Sequence, residues 1–176
     1  YMKRIFVIAA FIIAAVLCAK PAFAEGGDDP GKKAVMSFVD KYSNVEGFDA
    51  NTFVKGEGLG FVKSQLNGQF GRKFMKGVTI ITMAEYAKVS PEICDLIHED
   101  YNVYFSEFEE VELPKAKKSE DENGALVRSF LRVNKEESVI TDFITIVEEN
   151  EAKVLFYMGG RISLEDFESL VNKDKE

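Results

Sequence analysis

"ALVRSFLRVNKEESVITDFITIVEENEAKVLFYMGG", residues 125–160, decides the fold. Valine, isoleucine, threonine and aromatic residues fill three runs, 125–134, 138–148 and 152–158, in the composition of strands. The connections "NKEE" and "EENE" are short, so the three strands form an antiparallel meander. In the middle run, Phe143 shares a face with Thr141 and Thr145, while Ile144 and Ile146 take the other face with Asp142. Apolar groups on both faces mark an interior strand. Phe143 is assigned to the core if its face meets the helices, the alternative being an exposed sheet face that serves in binding. Gly159-Gly160 is read as the end of the last strand.

The pattern continues outward. "KAKKSEDENG", 115–124, is a polar loop, and "FEEVEL", 108–113, is a strand ended by Pro114. Ser90-Pro91-Glu92 starts a helix with Ile93, Ile97, Tyr101 and Phe105 on one side. "VTIITM", 78–83, is a buried strand, and "RKFMKG" leads into it. Leu59, Val62, Leu66 and Phe70 recur at helical spacing, and Gly68 and Gly71 close that helix. "FDANTFVK", 48–55, alternates as a strand; residues 32–43 form a helix with Ala34, Val35, Phe38, Val39 and Tyr42 on one face. Ser163 and Asp166 cap a final helix carrying Leu164, Phe167, Leu170 and Val171. The order predicts an α+β fold: a largely antiparallel sheet with a C-terminal β-meander and helices packed on one face.

The N-terminus has the form of a secretory signal peptide, 1–24: Lys3-Arg4, an apolar run from Ile5 to Ala19, then an A-x-A end at Ala22 and Ala24. The run is shorter than the roughly 20 residues of a membrane span. Cleavage is expected after Ala24. The alternative, lipid anchoring through Cys18, is disfavoured by Leu17, which stands where a small residue is required. Residues 25–31 read as a flexible leader and 32–174 as one domain. All 30 acids but only 19 of the 22 basic residues follow the cut, so the mature chain carries a formal charge of −11. Nucleic acid is thereby an improbable partner. The chain is expected to be exported to the periplasm, with no integral span after the cut. Cys94 is the sole mature cysteine, so no internal disulfide forms.

"FVDKYSNVEGF" at 38–48, "VTIITM" at 78–83 and "VLFYMGGRISLEDFESLV" at 154–171, behind a signal peptide, resemble the domain of unknown function 4252 family of small exported bacterial proteins. The resemblance spans essentially the whole mature chain. It implies an envelope-associated α+β domain and supplies no catalytic residues.

Candidate chemistry is sparse. Cys94 and His98 stand one helical turn apart, but the chain has no second histidine to extend them into a metal or nucleophile set. No metal, catalytic set or cofactor is expected. "GEGLGFVKS", 56–64, lacks the spacing of a phosphate loop. Gly160, Arg161 and Ser163 before the final helix are candidates for holding a small anion, in competition with Glu165 and Asp166. Asp142 lies in an apolar strand and is expected on an exposed edge, because ionised carboxylates are rarely buried. Charge is uneven: 92–122 hold eleven acids against three lysines, and 55–76 hold five bases against Glu57. Such a dipolar surface orients a domain against a partner. The expected function is an exported, non-enzymatic domain that binds a protein or cell-envelope component. The alternative is a small carboxylate-based hydrolase or small-ligand carrier.

Overall fold

The computed structural model describes residues 29–54, 56–111, 126–149 and 152–172. The signal peptide with Cys18, Ala22 and Ala24, residues 25–28 of the leader, and the 115–124 loop lie outside the described residues.

Eleven described elements follow the predicted order with one addition. They are α1 (Pro30–Tyr42), β1 (Asp49–Val54), α2 (Gly56–Phe70), α3 (Arg72–Lys76), β2 (Val78–Glu85), α4 (Pro91–Tyr104), β3 (Glu109–Val111), β4 (Leu126–Asn134), β5 (Val139–Glu148), β6 (Lys153–Ser163) and α5 (Leu164–Asn172). The leader ends earlier than expected: Asp29 caps α1, its side chain accepting from the Gly31 amide, and Pro30 occupies the first turn. "RKFMKG" is no plain lead-out, because Phe74 and Met75 are buried along the short α3.

The strands form one antiparallel sheet in the order β1-β2-β6-β5-β4-β3. The meander β4-β5-β6 is as predicted, and the class is α+β. β6 docks its second edge on β2, so β5 and β6 are central.

The helices pack on both faces of the sheet, not on one. Phe53, Ile81, Met83, Phe143, Phe156 and Met158 meet α2, α3 and α5 through Leu66, Phe74 and Phe167. The alternate residues Ile80, Ala84, Ile144, Ile146, Leu155 and Tyr157 meet α1 and α4 through Phe38, Ile97 and Tyr101. The cause is visible in the strands themselves. Each central strand is apolar at odd and even positions, and a strand with two apolar faces needs cover on both. Phe143 is buried on the helix-covered face, edge-on to Phe74 and Phe167, which decides for its core position.

Gly159-Gly160 does not end β6; the strand runs on to Ser163. A Cβ at Gly159 would lie 2.3 Å from the Tyr157 hydroxyl, so the bare backbone lets that ring lie along its own strand. Thr141 forms a bulge: Arg132 pairs with Asp142 and Val133 with Ile140, leaving Thr141 without an opposite residue. The bulge turns Ile140 to the Phe143 face and leaves Asp142 on the other.

Candidate functional site

Asp142 is fully buried on a central strand, not exposed at an edge. Tyr157 donates to its Oδ1 at 2.9 Å and Thr141 to its Oδ2 at 2.8 Å, while Arg132 stands 3.8 Å away. Burial raises its carboxyl above the ordinary aspartate range, partly offset by those two hydroxyls. The lid on this carboxylate is the first turn of α1. A Cβ at Gly31 would come within 2.3 Å of the Asp142 carboxyl group. The bulge, the two hydroxyls and the glycine together make a sealed anchor for α1, with no room for a substrate.

Six residues along the same strand, Glu148 anchors α4. Its Oε1 accepts from Tyr86 at 2.6 Å, and Tyr86 in turn accepts from Tyr101 at 2.5 Å. His98 Nε2 lies 2.7 and 2.8 Å from the two Glu148 oxygens. Burial drives the Tyr86, Tyr101 and Tyr157 hydroxyls far above the ordinary tyrosine range, so all three remain donors.

Cys94 and His98 do share a face, as their spacing predicts. The sulfur is 3.7 Å from His98 Nε2 and accepts from Lys153 Nζ at 2.8 Å. That contact holds the Lys153 ammonium above the ordinary lysine range. The same imidazole nitrogen faces both Cys94 and Glu148. A nucleophile–base–carboxylate relay needs the two ring nitrogens to serve opposite ends, so the cluster does not have that form. Cys94 is moreover only 5% exposed. No set of three metal-ligating side chains with suitable geometry occurs among the described residues. The network ties α4 to β5 and β6.

The two buried carboxylates are six strand positions apart, about 20 Å at the usual rise. Paired carboxylates in glycoside cleavage stand roughly 5–9.5 Å apart. Gly160, Arg161 and Ser163 do not form a cradle. Gly160 lies within β6, Arg161 pairs with Glu137 at 2.8 Å, and Ser163 caps α5 by accepting from the Asp166 amide. Gly56 to Gly60 form the first turns of α2 rather than a phosphate loop.

Among the described residues four large apolar side chains are exposed, Phe61, Leu96, Val103 and Leu126, and two of them lie on α4. Leu96 and Val103, seven residues apart on one stripe, are 47% and 67% exposed. Exposed Glu92 and Glu99 share that stripe, exposed Asp95 flanks it, and exposed Glu107 follows the end of the helix. Val103 also borders a cleft of about 360 Å³, lined by Pro30, Lys33, Ala34, Phe108 and Arg132 among others. Sequence reading found the acidic bias here but not the apolar stripe. Its signal was available: two apolar residues on the side of the helix opposite Ile93, Ile97 and Tyr101.

Among the described residues no helix is long and apolar enough to cross a membrane. Compared with protein-family models, curated proteins and solved structures, the chain gives no significant match.

Proposed function

We propose that the chain is an exported, non-enzymatic domain that binds a protein or cell-envelope component through the outer face of α4. One observation carries this reading: exposed Leu96 and Val103 share an outer stripe with the acids Glu92 and Glu99 on a helix whose other side is fixed to the sheet. Apolar anchors within a charged rim are the composition of a docking surface. The surrounding charge selects a partner that is basic and apolar. Export rests on the Lys3-Arg4 segment, the apolar run and the Ala22/Ala24 end. The resemblance to the domain of unknown function 4252 family supports the same compartment. A carboxylate-based hydrolase is the weaker reading, since Asp142 is fully buried and Glu148 nearly so, each with its oxygens occupied by hydrogen bonds.

The test compares the wild-type domain with Leu96→Lys/Val103→Lys in cross-linked capture from an envelope extract. Both positions are exposed, so folding is retained. Proteins held by the wild type and lost from the variant are expected. The same set held by both overturns the assignment to α4.

A further inference from the structure

We infer that the partner seated on α4 is a second copy of this chain, docked head to tail through its α2–α3 surface. This inference rests on the docking role proposed above for α4. The observation behind it is a second exposed surface of opposite charge. Arg72, Lys73 and Lys76 are exposed along α3, and none forms an ion pair among the described residues. Phe61, on the outer side of the adjoining α2, is 53% exposed. Three exposed cations on α3 thus oppose in sign the exposed acids of α4, and each of the two surfaces also carries an exposed apolar group, Phe61 on α2 and Leu96 with Val103 on α4.

The two surfaces cannot neutralise each other within one molecule. α2 and α3 cover the Phe143 face of the sheet and α4 the Ile144 face. Two helix layers, each roughly 10 Å thick, separate the outer surfaces. That exceeds the Debye length of about 8 Å at physiological salt. Complementarity is therefore met between molecules. Because different surfaces meet, the contact is heterologous. Each added copy presents a fresh acidic face on one side and a fresh basic face on the other. The negative excess of the whole chain opposes approach, so the association is weak and its orientation is set by the two patches.

Sedimentation of the mature protein between about 10 µM and 1 mM tests this. Three species are compared: wild type, Lys73→Glu/Lys76→Glu and Glu99→Lys/Glu107→Lys. All four sites are exposed, and matching thermal melts verify folding. The wild type is expected to form concentration-dependent oligomers. Each variant alone should associate about ten-fold more weakly or less, because its two surfaces now carry the same sign. An equimolar mixture should regain association, since each variant's reversed surface complements the other. A wild type that stays monomeric throughout overturns the inference, as does a mixture no better than its components. Lys73→Glu/Lys76→Glu leaves α4 intact. If it still captures envelope proteins while the wild type does not self-associate, this inference fails and the docking role of α4 stands. If capture is insensitive to Leu96→Lys/Val103→Lys, the docking role fails.

Discussion

The two faces of the sheet solve the same packing problem with different chemistry. The α2–α3–α5 side is filled by phenylalanine, leucine, isoleucine, valine and methionine, with a Ser129–Thr145 hydroxyl pair at 3.2 Å near its margin. The α1–α4 side adds Tyr86, Tyr101, Tyr157, Asp142 and Glu148, all buried and all hydrogen-bonded. Apolar contacts are non-directional, so the first side is fixed by volume. Buried hydrogen bonds are directional and costly to leave unmade, so the second side also fixes register and helix position.

The largest effect should come from breaking the apolar side. Phe143→Ala leaves a cavity between Phe74 and Phe167 and should cost about 3–5 kcal/mol in urea denaturation. A midpoint near that of the wild type would remove Phe143 from the core. On the polar side, Gly31→Ala drives a methyl group into the Asp142 carboxyl and should cost about 1–3 kcal/mol despite the better helix propensity of alanine. Adding Asp142→Ala to Gly31→Ala should then lose less than the two single changes summed. Strict additivity would mean that α1 does not rest on Asp142. Smaller still, a double-mutant cycle of Tyr86→Phe and Glu148→Gln should give a coupling of about 0.5–1.5 kcal/mol. A coupling near zero would reduce the Glu148 network to ordinary packing.

The subtlest difference is one of pH. Burial raises the carboxyl of Asp142 in the folded state, so the folded protein holds that proton more tightly than the unfolded chain. The contribution of this group is full below the unfolded value of about 3.9 and falls as pH rises through the higher folded value. Wild type should therefore lose stability relative to Asp142→Asn across that window and run parallel to it above. A stability difference that is flat with pH would contradict the raised carboxyl. The Glu110 carboxyl, held below its ordinary range by Arg128 at 2.8 Å, has the opposite sign, but this exposed pair contributes little.

The strands and long helices were legible because their signals are local. Alternation marked the meander, Ser90 and Pro91 marked the start of α4, and Ser163 the start of α5. Cover on both faces was also written in the sequence, as apolar residues at odd and even positions of β5. Asp142 departs from the expectation for two reasons. Average carboxylate burial pointed outward, and the Thr141 bulge that reorients the strand leaves no local signature. The two glycines of β6 read as a stop in sequence because their value lies in close approach: Gly159 to the Tyr157 ring of the same strand and Gly160 to Gly77 just before β2. The Glu148 network was beyond reach for the same reason: Tyr86, His98, Tyr101 and Lys153 come from separate places in the chain and converge only after folding.

The central place of β6 has a consequence in time. β1 and β2 form one part of the sheet and β3, β4 and β5 another, and only β6 joins them. During synthesis β2 emerges first and β6 is complete roughly 80 residues later, about 4–16 s at the usual rate of elongation. For that interval neither part can close the sheet, and β2 exposes the edge that β6 will fill. The order of strands thus holds the sheet open until β6 has been made. A chain in that condition can be threaded before it folds, and it also requires shielding from other unfinished chains.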